Sequence, residues 1–125
     1  MCIRDSPVTE AMVDAAYLAA EQLNAPVIVV ATASGRTALA LSNRRPSAMI
    51  LALSPTEQAA RVLTICWGVI PLVLPQVFSV DQELAFAVDW AKSHRLIHPG
   101  QYVVFIRGEM PGQIKSRAVL AHEVP

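Results

Sequence analysis

The chain has 125 residues, enough for one domain with a buried core and too few for two. Its 10 Lys and Arg residues balance 10 Asp and Glu residues, and a formal net charge of zero argues against a nucleic-acid-binding protein or a polybasic membrane module. No apolar run reaches the roughly 18 residues of a membrane-spanning helix, and no apolar signal-peptide core follows Met1, so we expect a cytoplasmic protein.

Residues 1–7 are expected to form a non-native or disordered leader, because MCIRDS does not share the periodicity of the residues after it and is similar to a read-through hexapeptide at the start of truncated reading frames. Residues 8–125 are expected to form a single α/β domain. Cys2 and Cys66 are isolated and lack metal-ligand spacing, which argues against a zinc site and a disulfide framework. We expect this domain to bind no metal and no cofactor.

The first half of the domain alternates between helical and strand periodicity. Residues 9–23 repeat apolar side chains at helical spacing, and residues 27–30 are four consecutive β-branched residues, typical of a strand buried on both faces. A second helix is predicted to run to about Arg44, since the residue before Pro46 avoids the α region. Residues 48–53 are wholly apolar and predict a second strand.

The next elements carry clear helix-start signals. Ser54-Pro55-Thr56-Glu57 predicts a third helix with Ser54 as its N-cap and proline at the first helical position. Residues 69–74 predict a third strand, which Pro71 restricts to a short strand or a sheet edge. Ser79 is predicted to cap a fourth helix. On that helix Asp81, Glu83 and Asp89 are expected to be solvent-exposed acids without a chemical role.

The last two strands, predicted at residues 102–106 and 117–124, are joined by a loop without a helix. They should therefore be antiparallel neighbours, whereas the strands separated by helices should be parallel. The sequence thus predicts an α/β fold with three layers: a doubly wound, mostly parallel five-stranded sheet whose last strand is antiparallel. Ligands of such sheets bind at the carboxyl ends of the strands.

The turn after the first strand contains the residues best suited to bind a ligand. Hydroxyl groups, a permissive glycine, a guanidinium and the N–H groups of a helix start can together hold a phosphate. The alternative is ordinary capping, with Ser34 as the N-cap of a helix that begins at Gly35. Because the turn lies where such sheets bind ligands, we favour an anion site formed by Thr32, Ser34, Gly35, Arg36 and Thr37.

The order and spacing of several short motifs over about residues 8–108 resemble the carboxyl-terminal domain of pyruvate kinase. The motifs are VTEA at 8–11, IVVAT at 28–32, SGRTA at 34–38, RP at 45–46, LSPTE at 53–57, AAR at 59–61, WGV at 67–69 with Pro71, and Gly100 before an apolar strand. The resemblance implies a five-stranded sheet with its last strand antiparallel, in agreement with the residue pattern.

The resemblance implies a glycolytic enzyme that transfers a phosphoryl group from phosphoenolpyruvate to ADP, using magnesium and usually potassium. In that family the catalytic groups lie in a (β/α)8 barrel that nothing in this chain resembles, so the chain by itself is expected to be catalytically inactive. It is expected to be a fragment of a longer enzyme, with the barrel as its partner, or a free-standing regulatory domain. An independent α/β phosphate-ligand sensor or interaction module is the alternative function.

The resemblance also implies a sugar phosphate effector, held by the turn at residues 32–37 and covered by the loop between the last two strands. In that loop Gly108, Lys115 and Arg117 are the candidate contacts. Ala33 stands where relatives that respond to fructose bisphosphate often have lysine, and Glu109 places an acid in the loop. A monophosphate effector, or none, is therefore open beside the bisphosphate.

The domain is expected to associate with its own copy. Hydrophobic residues make up 54% of the chain and charged residues 16%, which suggests that a partner covers one face. The first helix is rich in small residues (Ala11, Ala15, Ala16, Ala19 and Ala20), and the polar fifth strand is expected at a sheet edge. Since pyruvate kinases are commonly tetramers, we predict a two-fold contact through the first helix or the fifth strand.

Overall fold

The computed structural model describes residues 7–74, 79–108 and 118–125, in which helices and strands alternate as predicted. In chain order they are α1 (Pro7–Leu23), β1 (Val27–Ala31), α2 (Arg36–Asn43), β2 (Met49–Ser54), α3 (Glu57–Leu63), β3 (Val69–Val73), α4 (Val80–Ser93), β4 (Tyr102–Arg107) and β5 (Ala118–Glu123). α1 includes Pro7, one residue before the expected start of the domain. None of the helices in these ranges is long and apolar enough to cross a membrane.

The strands of the described ranges form one five-stranded sheet in the order β3-β2-β1-β4-β5. β1 pairs in parallel with both β2 and β4, β2 pairs in parallel with β3, and β4 pairs antiparallel with β5. The predicted fold class is confirmed. β3, which contains Pro71, lies at one edge and β5 lies at the other, as their sequences indicated.

Side chains of β1 alternate between two apolar cores, one on each face of the sheet. Ile28 and Val30 lie in the core that α1, α2 and α3 cover. Val27 and Val29 lie in the core under α4. All five residues of β1 are buried, because β1 has a strand on each side and helices above and below.

The predicted start of α3 is wrong by two residues. Ser54 ends β2, and its carbonyl oxygen accepts a hydrogen bond from the N–H of Leu74 at 2.7 Å. Thr56 is the N-cap instead, and its Oγ1 accepts from the N–H of Ala59 at 3.1 Å. Pairing with β3 thus extends β2 through Ser54. The helix ends at Leu63, and the side chain of the following Thr64 donates to the carbonyl of Arg61 at 2.7 Å.

The N-terminus of α4 is a complete capping box, which confirms the predicted cap. Ser79 Oγ accepts from the N–H of Gln82 at 3.2 Å, and Gln82 Oε1 accepts from the N–H of Ser79 at 3.0 Å. Two N–H groups that the helix cannot satisfy internally thereby gain acceptors.

Replacing the capping serine should destabilise the domain. We expect Ser79→Ala to lower the free energy of unfolding by about 1 kcal/mol, measured by urea denaturation. Ser93→Ala is the matched control, since Ser93 is exposed at the other end of the same helix and should change stability little. Equal effects of the two substitutions would contradict this role for the cap.

Candidate functional site

The candidate turn lies where the carboxyl ends of three neighbouring strands meet. In the sheet register, Ala31 at the end of β1 is opposite Leu53 of β2 and Arg107 of β4. The pairing continues past β1, because the N–H of Thr32 donates to the carbonyl of Leu53 at 3.0 Å and the N–H of Gly108 donates to the carbonyl of Ala31 at 2.9 Å. The structure therefore brings the turn and the start of the β4–β5 connection together.

Hydroxyl groups within the turn bind its own backbone. Thr32 Oγ1 accepts from the N–H of Gly35 at 3.0 Å, and Ser34 Oγ accepts from the N–H of Arg36 at 3.3 Å. The capping alternative is wrong in its detail: α2 begins at Arg36, and its N-cap is Gly35, which has no side chain to donate or accept. The chain turns at Gly35, so the hydroxyls of Thr32 and Ser34 accept hydrogen bonds from the consecutive N–H groups of Gly35 and Arg36.

Gly35 fits this position for two physical reasons. Its φ of +87° lies in the left-handed region, which side chains disfavour. A Cβ added there would also lie 3.2 Å from Cδ2 of Leu63, the buried last residue of α3. The end of α3 thus packs against the turn at Gly35 and leaves no space there for a side chain.

The start of α2 supplies partial positive charge to the turn. The first N–H groups of any α-helix lack acceptors within the helix, and its dipole favours an anion there. Thr37 is buried in this first helical turn, whereas Ser34 and Arg36 are exposed. The side chains of Ser34 and Arg36 therefore border solvent, from which a ligand would approach.

Gly108, the first residue after β4, lies close to the same turn. A Cβ at Gly108 would lie 2.8 Å from Thr37 Oγ1, so a larger residue would displace that hydroxyl. The other predicted loop contacts, Lys115 and Arg117, lie outside the described residues, and so does Glu109. Of the eight predicted contact residues, the structure describes six and places them at this edge of the sheet.

The burial of Ser54, beside the turn, was not predicted from the sequence. The sequence pattern assigns Ser54 to the cap of α3, but this residue is only 1% exposed at the end of β2. Its Oγ has no hydrogen-bond partner among the described residues. The available signal was a strand that ends in serine at the edge of the sheet where ligands bind. Because a proline follows this serine, as at a helix start, Ser54 was assigned to the cap instead.

A buried ion pair lies on the opposite face of the same edge. Arg107 Nη2 is 3.3 Å from Glu83 Oε1, and Glu83 is 2% exposed. The expectation that Glu83 is a solvent-exposed acid is wrong. Glu83 precedes Ala87 by four residues on the buried stripe of α4, and this spacing could have identified it. Burial raises the pKa of the Glu83 carboxyl above its ordinary value, while the charge of Arg107 acts in the opposite direction.

One groove of the structure lies away from the turn. A groove of about 240 Å³ is lined by Glu57, Ala60, Arg61, Thr64, Pro71 and Val73, and none of these belongs to the turn. Within residues 7–74, 79–108 and 118–125, no three His, Cys, Asp or Glu side chains are grouped so that they could hold a metal ion.

Burial of the Glu83 carboxyl predicts a specific pH dependence of stability. Since the folded-state pKa of Glu83 is raised, folding favours the protonated form, and this contribution to stability should decline as pH rises from about 4, the ordinary glutamate value. Glu83→Gln cannot ionise. We therefore expect the stability of Glu83→Gln relative to the wild type to increase with pH in urea denaturation.

Asp89→Asn is the control, because Asp89 is an exposed acid on the same helix. Its stability relative to the wild type should vary less with pH than that of Glu83→Gln. A constant difference between Glu83→Gln and the wild type at all pH values would contradict the raised pKa.

Comparison with known proteins assigns the family. Residues 10–120 match the model of the pyruvate kinase alpha/beta domain. A pyruvate kinase of Agrobacterium vitis is 41% identical over 98 residues, and one of Lactobacillus delbrueckii subsp. bulgaricus is 34% identical over 110 residues. These alignments cover 78% and 88% of this chain but only 21% and 19% of the relatives.

Solved structures agree with the sequence matches. A crystal structure of a pyruvate kinase from Cryptosporidium parvum superimposes with a TM-score of 0.86 at 28% identity, covering 98% of this chain and 24% of that protein. The chain thus spans about a fifth to a quarter of the length of these relatives. The resemblance to the carboxyl-terminal domain is confirmed, and the chain belongs to the pyruvate kinase alpha/beta domain family.

Proposed function

We propose that this chain serves as the regulatory and assembly domain of a cytoplasmic, glycolytic pyruvate kinase. Phosphoryl transfer from phosphoenolpyruvate to ADP must position two substrates and metal ions. The chain matches only about a fifth of its relatives, and no metal-ligand cluster occurs in its described residues. We therefore assign the chemistry, with its magnesium and potassium, to a catalytic barrel of the same enzyme and not to this domain.

The proposed regulatory activity is binding of a sugar phosphate at the turn of residues 32–37. The observation that carries it is the contact between Gly108 and Thr37, which joins the helix start of α2 to the first residue of the connection between β4 and β5. A ligand phosphate on the turn would lie against that connection. Binding would thereby change the contacts of the connection and, through it, how the domain contacts its neighbours.

The chemistry of the turn suits a phosphate. Ser34 and Thr37 supply hydroxyls, Gly35 and the start of α2 supply backbone N–H groups, and Arg36 supplies a guanidinium. Lys115 and Arg117, on the connection itself, are proposed as further cationic contacts. Ala33 leaves one position without the cation that fructose-bisphosphate-responsive relatives often have, so a sugar monophosphate is the effector we would test first.

Calorimetric titration with a sugar monophosphate tests the site. We expect saturable binding at millimolar or lower concentration, abolished by Gly35→Val and retained by Thr37→Ser. Valine would meet Leu63 and disfavour the positive φ, whereas serine keeps the hydroxyl. Circular dichroism must show that Gly35→Val is folded.

Ser93→Ala is the control. Ser93 is the last residue of α4 and is not part of the turn, so we expect this substitution to leave the binding of the sugar monophosphate unchanged. Absence of binding by the wild type at millimolar ligand would contradict the proposed activity. So would a folded Gly35→Val variant that binds as well as the wild type.

We further propose that the domain associates through a two-fold contact formed by α1 or β5. On α1, Val8 is 50% exposed and Leu18 is 56% exposed, and β5 is an edge strand with one unpaired side. Ala16 and Ala20 are buried within the domain, so these two small residues are not available to a partner. Exposed Ala15 and its neighbours are the candidate α1 contacts.

Sedimentation of the chain and two variants tests this contact. We expect a dimer at high micromolar concentration, dissociated by Ala15→Glu if α1 is used or by Ala121→Lys if β5 is used. Ala85→Glu is the matched control, because Ala85 is exposed on α4, on the other face of the sheet. A monomeric wild type would contradict self-association of this domain, and a dimer unaffected by both substitutions would exclude these contacts.

A further inference from the structure

Two buried serines of this domain differ in one respect. Ser42 is 3% exposed, and its hydroxyl donates to the carbonyl of Trp67 at 2.7 Å. Ser54 is 1% exposed, and its hydroxyl has no partner among the described residues. A buried hydroxyl without a partner destabilises a protein, so alanine at position 54 would be more favourable for folding.

Sheet register places Ser54 beside Thr32. The two residues follow the paired positions Leu53 and Ala31, and the N–H of Thr32 donates to the carbonyl of Leu53 at 3.0 Å. Residues side by side on neighbouring parallel strands direct their side chains to the same face, with the strands about 4.8 Å apart. Successive side chains of a strand point to opposite faces of the sheet. Ser54 is therefore on the face opposite Leu53 and on the same face as Ala52, which α2 and α3 cover.

The backbone of Ser54 is fixed while its hydroxyl can rotate. Its carbonyl oxygen accepts from the N–H of Leu74 at 2.7 Å, which holds the residue in the sheet. The hydroxyl hydrogen of a serine turns about the Cβ–Oγ bond and can donate to whichever acceptor is available. The register places Thr32 beside Ser54 on this face, and the hydroxyl of Thr32, which is 2% exposed, is an acceptor that Ser54 could use.

Thr32 Oγ1 holds the N–H of Gly35 at 3.0 Å in this structure. A phosphate bound on the turn would compete for that N–H, because an anionic oxygen is a stronger acceptor than a hydroxyl. Thr32 Oγ1 would then be a buried acceptor without a donor, and this would reduce the net gain from binding. A second hydrogen-bond donor beside Thr32 Oγ1 would replace the N–H of Gly35 and avoid this reduction in binding.

We propose that Ser54 is a positioning residue of the anion site, whose O–H donates to Thr32 Oγ1 when a bound phosphate takes over the N–H of Gly35. Ser54 acts through Thr32 and does not touch the ligand. In the unliganded domain the Ser54 hydroxyl has no hydrogen-bond partner among the described residues, and this lowers the stability of the domain. In the liganded domain the hydroxyl is hydrogen-bonded to Thr32, and this raises the affinity for phosphate. The inference rests on the proposed phosphate binding at the turn.

The test compares Ser54→Ala with Ser42→Ala in the 125-residue chain, using inorganic phosphate as the ligand. We expect Ser54→Ala to raise the Tm measured without phosphate and to weaken the calorimetric Kd for phosphate about five- to tenfold, the worth of one hydrogen bond. Ser42→Ala removes a satisfied hydroxyl away from the turn. It should lower the Tm and leave the Kd for phosphate unchanged.

A Ser54→Ala variant with a higher Tm and a weaker affinity for phosphate would distinguish a positioning role of Ser54 from a purely structural one. If the wild type binds phosphate and Ser54→Ala binds it equally well, the role of Ser54 is overturned while the anion site stands. If Ser54→Ala lowers the Tm as Ser42→Ala does, the hydroxyl has a partner in the unliganded state, which also overturns the inference. If the wild type binds neither inorganic phosphate nor the sugar monophosphate, the proposed function fails, and the role of Ser54 fails with it. If it binds the sugar monophosphate alone, the same comparison of Ser54→Ala with Ser42→Ala is made with that ligand and decides the role of Ser54.

Discussion

Burial of β1 between two parallel strands is the constraint on which the functional edge depends. Each face of β1 is covered by an apolar core, so a slip of one residue against β2 and β4 would move every side chain of β1 into the other core and disrupt the packing of both. The same register brings the residues after β1, at the end of β2 and after β4 into contact. Geometry at the candidate site is therefore fixed by the core and does not depend on the turn alone.

The two faces of this edge differ in their chemistry. On the face of α2 and α3 the turn presents hydroxyls and helix N–H groups, with Leu63 packed beneath Gly35. On the face of α4, Arg107 is paired with buried Glu83, and one carboxylate oxygen of Glu83 has no hydrogen-bond partner among the described residues. A ligand on the turn would therefore find its positive charge in α2 and Arg36, while Arg107 contacts Glu83 on the opposite face.

Sequence patterns predicted every helix and strand of the described ranges, either from apolar periodicity or from helix-start signals. They erred where two signals overlapped: Ser54-Pro55 is typical of a helix start, yet pairing with β3 keeps Ser54 in the strand and moves the cap to Thr56. The turn was located from residue types alone. Its internal hydrogen bonds, the contact of Gly108 with Thr37, and the burial of Glu83 depend on tertiary packing, which a local pattern does not encode.

Phosphate binding by the turn after β1 is tested most directly by amide NMR of the uniformly 15N-labelled chain titrated with inorganic phosphate. We predict saturable shifts of the amide signals of Gly35, Arg36 and Thr37, a smaller response at Gly108, and none in the capping box at Ser79. No shift at the turn, or shifts that grow without saturation across the whole domain, would contradict phosphate binding at this site.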